Sequence, residues 1–233
     1  MKPSNVAIII QARMSSSRFP SKMMEPLGGA ALIEFVYKRS TLSNVSNVVV
    51  ATSEDLSDRG LYDYCLKNSI RVMRGSLEDV LKRYIDTANA IGAKYIIRIC
   101  GDTPFVDIAL ADSLLDTLVK EGREYVAPSR ISCASAFFSE AVSLSALERC
   151  ARMTSDKQDR EHVTRYILNH ADGFDVKLID AGLNPSFMSD VKLTIDYPED
   201  IEAARRVVGR LADRYNFSSG DVLDIVGNKR CVG

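Results

Sequence analysis

Short apolar runs rich in valine and isoleucine recur through the first hundred residues, at Val6–Ile10, Val48–Ala51, Ile70–Met73 and Tyr95–Ile99. Continuous runs of this kind suit strands buried on both faces, as in a parallel sheet covered by helices. Between the last two runs, Leu77, Val80, Leu81, Tyr84, Ile85, Ala88 and Ile91 recur at three- and four-residue steps. That spacing predicts an amphipathic helix, capped at Ser76 with Asp79 three positions on. A second helix is predicted from Ile201, Ala204, Val208 and Leu211. Glu199, Asp200 and Glu202 fall in its first turn and Arg205, Arg206, Arg210 and Arg214 further along, the order the helix dipole favours.

Strands alternating with helices imply βαβ units, whose ligand sites lie beyond the carboxyl ends of the strands. From Tyr125 to Ser143 the pattern loosens into Ala, Ser, Pro and Phe, which predicts an excursion from the sheet at about 125–143. Helical spacing returns over Ser143–Arg152 and Gln158–His170, and strand-like patterns over Phe174–Ile179 and Val191–Ile195, so the sheet is expected to be mixed. Val222, Leu223, Ile225 and Val226 predict a short final helix that packs on a partner subunit. With no linker, repeat or low-complexity tract, residues 1–233 read as a single α/β domain.

Charge narrows the function. Lys and Arg number 30 against 31 Asp and Glu, a net charge of −1, so no summed field recruits nucleic acid or a membrane surface and any anion site must be local. Cys65, Cys100, Cys133, Cys150 and Cys231 are widely spaced, with no C-x-x-C pair and two histidines in the chain, which disfavours a zinc site or a disulfide framework. No segment approaches the roughly 20 apolar residues of a membrane span, and the first apolar run is too short for a signal-peptide core. The expected location is the cytoplasm.

The first strand leads into a loop, Gln11 to Lys22, with three cations (Arg13, Arg18, Lys22) and four serines. Cations, hydroxyls and backbone N–H groups at a strand end suit a polyphosphate, although the composition also fits a solvated loop, and the glycines of a P-loop are missing. After the fourth strand, Gly101-Asp102-Thr103-Pro104 sets a carboxylate in a turn, and Ile195-Asp196-Tyr197-Pro198 repeats the arrangement. Each aspartate alone reads equally as a turn residue or helix cap. Beside the basic loop, the pair fits a shared magnesium ion, which takes few protein ligands and completes its shell with water and phosphate oxygens. Asp159-Arg160-Glu161-His162 opens a helix and offers a cation and an imidazole, with His170 two turns on. No G-x-S-x-G elbow is present, and Cys100 is taken as a small buried residue.

Ile8 to Lys22 resembles the opening signature of the cytidylyltransferases that include spore-coat polysaccharide biosynthesis proteins and acylneuraminate (CMP-sialic acid) synthetases. Arg74 to Tyr84, Gly101 to Pro104, Arg160 to Thr164 and Leu193 to Asp200 match further motifs of that family, in order. The resemblance implies a three-layer αβα nucleotide-diphospho-sugar transferase fold, with a mixed, mostly parallel sheet and a Rossmann-like nucleotide half, commonly a homodimer. It implies transfer of a cytidylyl group from CTP to a sugar acid, giving CMP-sugar and pyrophosphate, for surface polysaccharide or glycan synthesis. On this chain the catalytic residues would be Arg13 and Lys22, holding the β- and γ-phosphates with Arg18 as a weaker third. Ala12, Gly75, Ser76 and Asp79 would complete the nucleotide site, Asp102 and Asp196 would bind Mg2+, and Glu140, Arg160 and His162 would meet the acceptor.

The chain departs from the resemblance in places. Ser21 stands where relatives usually carry glycine, Thr103 where they carry cysteine, and Arg165 where they carry proline. Ala136 to Glu140 stands where many have a Gly-Leu-Asp-Val-Glu run facing the acceptor, so Phe138 replaces an aspartate. Two alternatives stay open at this point: a glycosyltransferase of the same fold, disfavoured by the missing D-x-D pair, and a nucleotide-binding module without catalysis.

Overall fold

The structure is a computed structural model and describes residues 5–182 and 193–227. The chain opens with β1 (Val6–Gln11), the short strands β2 (Pro26–Leu27) and β3 (Ala30–Ala31), α1 (Leu32–Ser40), β4 (Val48–Ser53) and α2 (Arg59–Lys67). Next come β5 (Val72–Gly75), α3 (Val80–Ala90), β6 (Tyr95–Cys100), α4 (Ile108–Glu121), β7 (Tyr125–Pro128) and β8 (Glu140–Ser143). The last elements are α5 (Leu144–Met153), α6 (Lys157–Glu161), α7 (Arg165–Asn169), β9 (Val176–Ile179), α8 (Pro198–Val208) and α9 (Ser219–Gly227).

Seven strands form one sheet in the order β5-β4-β1-β6-β8-β7-β9. All neighbours are parallel except those of β8, which runs antiparallel to both β6 and β7. The mixed, mostly parallel αβα arrangement is the one the apolar runs predict. In β1, Ile8 and Ile10 enter the core under α1, α4 and α8, while Ala7 and Ile9 enter the core under α3 and α5. Each fully buried isoleucine contributes about 1.5–3 kcal/mol, which is why the runs need no polar alternation. Among the described residues no helix is long and apolar enough to cross a membrane.

Five local expectations change. The segment 125–143 supplies two sheet strands, β7 and β8, and only residues 129–139 leave the sheet. The helix over Gln158–His170 is broken into α6 and α7, because Val163 adopts φ +38° and His162–Thr164 turn the chain. The cap of α3 is Asp79, whose carboxylate accepts from the Lys82 N–H, while the Ser76 hydroxyl accepts from Asp79 N–H. Of the strand expected at Val191–Ile195, the first two residues lie outside the described ones, and Leu193–Ile195 are irregular. In α9, Val222 is buried in this chain's own core rather than presented to a partner.

Arg39 of α1 ties down the segment before α9. Its buried guanidinium donates to the carbonyls of Val106, Tyr215 and Phe217 at 2.6–3.0 Å and lies 3.5 Å above the Phe217 ring. Burial pushes its pKa down to about 10.

Candidate functional site

The parallel register sets Gln11, the last residue of β1, beside Cys100, the last of β6, so the two chemistry-bearing loops leave the sheet side by side. Gly101 N–H donates to the Gln11 carbonyl at 2.8 Å. A Cβ on Gly101 would meet the Met23 sulfur at 3.0 Å and Ala12 Cβ at 3.2 Å, so glycine is what lets the β6 turn lie against the 11–22 loop.

That loop is shaped by a buried carboxylate instead of by glycines. Asp58, before α2, accepts from Met14 N–H at 2.6 Å, from Ser53 N–H at 3.2 Å and from the Ser53 hydroxyl. Ser21 closes the loop by donating to the Met14 carbonyl at 3.0 Å, in a left-handed conformation with φ +60°. Glycine would hold that conformation with less strain.

Each loop cation meets a carboxylate. Lys22, 6% exposed, donates from Nζ to Asp102 and to the Ile195 carbonyl, both at 2.6 Å. Arg18 pairs with Asp196 at 2.5 Å and stacks over Tyr197, and Arg13 pairs with Glu161 at 3.2 Å. Ile195 N–H donates to the Asp102 carbonyl at 2.9 Å, which joins the two aspartate segments. Asp200, in the first turn of α8, accepts the N–H groups of Asp196 and Tyr197 at 2.9 and 2.8 Å and fixes the turn.

A cavity of about 210 Å³ lies over these groups, lined by Ala12, Arg13, Arg18, Lys22, Arg83 and Asp102 among others. A second, of about 580 Å³, is lined by Arg130, Phe138, Glu140, Thr164, Arg165 and Thr194 among others. Cys100, Asp102 and His162 line both. Beneath them, Arg98 pairs with Glu140 at 2.5 Å and donates to the Gln11 side chain at 3.0 Å. Glu140 also accepts from the Tyr125 hydroxyl at 2.6 Å and from Thr164, so its carboxylate is fully engaged. Burial, then Glu140, pushes the Tyr125 pKa well up. Burial lifts the Cys100 thiol to about 11 in spite of Arg98 beside it, so the thiol stays protonated; its side chain is half-buried, lining both cavities.

The structure therefore brings together Ala12, Arg13, Arg18, Lys22, Asp102 and Asp196, with His162 and Glu140 on the second cavity. It does not bring Arg160 there. That guanidinium is spent on Asp79 at 3.2 Å and on the carbonyls of Ala151 and Thr154, and it lines a third cavity of about 460 Å³ with Asp79, Lys157 and Arg13. Gly75 and Ser76 reach the first cavity only through Arg83, which donates to the Ser76 carbonyl at 2.9 Å. Sequence reasoning missed Asp58, Arg83 and Arg98. Arg98 carried a usable signal, being a cation inside the otherwise apolar run of β6.

The chain is matched by the family model described as cytidylyltransferase over residues 7–220. It is 32% identical over 232 residues to the spore coat polysaccharide biosynthesis protein SpsF of Bacillus subtilis (strain 168), covering 96% of this chain and 94% of that protein. A solved cytidylyltransferase from Leptospira borgpetersenii serovar Hardjo-bovis superposes with a TM-score of 0.90 at 28% identity, over 97% of this chain and 95% of that one. A CMP:2-keto-3-deoxy-manno-octonic acid synthetase complexed with CTP shares the fold, with a TM-score of 0.65 at 16% identity over 89% and 99% of the two chains. Near-complete coverage by both the family model and the Bacillus relative places this chain in the cytidylyltransferase family, among the nucleotidyltransferases.

Proposed function

We propose that the protein is a magnesium-dependent cytidylyltransferase that joins CTP to a sugar acid, releasing pyrophosphate, for surface polysaccharide or glycan synthesis. The observation that carries this reading is Asp102 in the wall between two cavities, the smaller ringed by Arg13, Arg18 and Lys22. The name of the CTP-complexed synthetase supplies the acceptor class.

Among the described residues no three His, Cys, Asp or Glu side chains gather for a metal ion. Asp102 and Asp196 still fit magnesium, which binds through one or two carboxylates plus substrate phosphates. Both are now paired with loop cations, and a triphosphate entering the cavity exchanges these pairs: Lys22 and Arg18 turn to phosphate oxygens, and the two carboxylates are released. The bound ion would supply further neutralisation of phosphate charge. The acceptor hydroxyl, coming from the larger cavity, forms a bond to the α-phosphorus as the bond from that phosphorus to the β-bridging oxygen breaks. Its proton passes to His162, which lines both cavities, and pyrophosphate leaves held by Arg13 and Lys22. Catalysis of this kind rests on positioning and charge neutralisation. Assembly as a homodimer belongs to the same reading, supported by the exposed Ile131 and Leu178 near strand β9; sedimentation tests it.

The test is calorimetric titration with CTP, UTP, ATP and GTP, each with and without magnesium. Selective CTP binding that weakens in Asp102→Ala and Asp196→Ala is expected. A folded protein that binds none of the four overturns the reading.

A further inference from the structure

The guanidinium of Arg160 fastens one short helix to two others. It donates to Asp79, the N-cap of α3, at 3.2 Å, to the Ala151 carbonyl in the last turn of α5 at 2.6 Å, and to the carbonyl of Thr154, the C-cap of α5, at 3.0 Å. Helix α6 is five residues long, too short to hold a direction by its own hydrogen bonds, so its orientation depends on side-chain tethers. Asp159 accepts from Thr154 and Arg165 at 2.9 and 2.5 Å, bonds that stay within residues 154–165, whereas those of Arg160 reach out to α3 and α5. The C-cap of α6 is His162, which lines both cavities, and the next residue is Val163, fully buried at φ +38°. A β-branched residue rarely adopts that conformation, and it persists only where its surroundings fix both flanks. Thr164 fixes the downstream flank by donating its hydroxyl to Glu140 at 3.1 Å, and Arg160 fixes the upstream one. The His162 imidazole has no hydrogen bond of its own among the described residues. His170, the other histidine of the chain, keeps Nδ1 3.0 Å from the Tyr166 carbonyl and its ring stacked on that of Tyr166. His162 is therefore placed by the backbone that carries it.

We infer that Arg160 is a positioning residue, which sets His162 in the wall between the two cavities by fastening α6 to α3 and α5. Its bearing on catalysis rests on the reading of His162 as the proton acceptor given above. A reacting group misplaced by about 1 Å can cost about 10²-fold in rate, so a tether of this kind belongs to the machinery of transfer although it touches neither substrate. The distance of Arg160 from the larger cavity is then what its task requires.

The test is a proton–carbon correlation spectrum of the protein with ring-labelled histidine, in which the two histidines give two Cε1–H signals, assigned through His170→Gln. The variants are Arg160→Met and Asp79→Asn. Asparagine caps a helix about as well as aspartate, so the second variant removes the ion pair and keeps α3 capped. In both, the His162 signal should shift or broaden while that of His170 stays, and Arg160→Lys, which keeps the pair with Asp79, should bring it partly back. An unmoved His162 signal in folded Arg160→Met overturns the inference. So do equal shifts of both signals, which would mean a general loosening of α6 and α7. A shift in Arg160→Met without one in Asp79→Asn overturns the α3 half of the inference. If Arg160→Met does not melt as a folded protein, Asp79→Asn decides by the same criteria. A His162 signal that moves as expected in the variants but does not respond to CTP and magnesium in wild type would instead remove the proton-acceptor reading and leave the tether standing.

Discussion

The two cavities that meet at Asp102 are built differently. The smaller one is made mainly of two short consecutive stretches, the loop after β1 and the turn after β6, fixed by main-chain bonds to Asp58 and Gln11, with Val80 and Arg83 of α3 and Glu161 and His162 closing it. Its loop cations are matched in advance, each against a carboxylate. The larger one is assembled from distant segments, around residues 98–103, 130–140, 162–169 and 194, and mixes Arg130 and Arg165 with Phe138 and Leu168. On the proposed reading the smaller cavity takes a triphosphate, one fixed shape, so its site can be rigid and local. An acceptor that varies needs walls that vary independently.

The wall shared by both sides gives the sharpest way to break this contrast. Removing the carboxylate in Glu140→Ala leaves Arg98 buried without its counter-charge, and breaking a buried pair in this way costs about 3–5 kcal/mol. Denaturant unfolding of the variant should show a loss of that size. A loss below about 1 kcal/mol would mean that Arg98 finds water or another acceptor, and the wall would be softer than its hydrogen bonds imply. On the nucleotide side, Lys22→Met should slow pyrophosphate release by about 10²–10³, and Arg13→Ala by about 10² or more, the range for losing one strong electrostatic donor. Either variant turning over near the wild-type rate ends its catalytic role.

The acceptor side predicts a smaller and more selective effect. Phe138→Asp introduces the carboxylate that the family resemblance places at this position and should change the KM for a sugar acid about tenfold while leaving CTP affinity alone. A matching change in CTP affinity would show that the cavities are not separable. Cys100 reports on both. With its thiol lifted to about 11, its labelling by iodoacetamide should be slow at pH 8 and rise about tenfold per pH unit up to that value, because only the thiolate reacts. Mass spectrometry of the peptide should also show protection by CTP.

The same contrast explains what was legible in the sequence. Apolar runs announced the parallel strands, and the loops following two of them carry Arg13, Lys22 and Asp102 to one cavity, because residues at a strand end are local in sequence; Asp196 follows an irregular segment and meets that cavity through Arg18. The position of Arg160 was not legible because the backbone reversal at Val163 after α6 carries no proline or glycine, and its partner Asp79 lies 81 residues away. The segment 125–143 was misread because β7 and β8 are four residues each and join the sheet through an antiparallel pairing that no local pattern encodes. Asp58 carries no motif in the sequence that marks it out. Its role depends on Met14, 44 positions earlier, which only the folded chain brings within reach.

The smallest effect separates a carboxylate that only competes for a loop cation from those proposed also to serve the metal. Arg13 and Glu161 meet at 3.2 Å with side chains 44% and 39% exposed. An exposed pair of this kind is worth about 0.2–1 kcal/mol, so freeing Arg13 in Glu161→Gln should tighten CTP by at most about fivefold. The gain should shrink with added salt, since the pair and the phosphate contact are both screened. Asp102 and Asp196 hold Lys22 and Arg18 in the same manner, yet their removal is expected to weaken CTP because the ion loses its protein ligands. Opposite signs for Glu161→Gln and Asp102→Asn, measured by the same titration, would separate the two kinds of carboxylate. Equal signs would mean that the three pairs act alike and that the metal does not depend on Asp102.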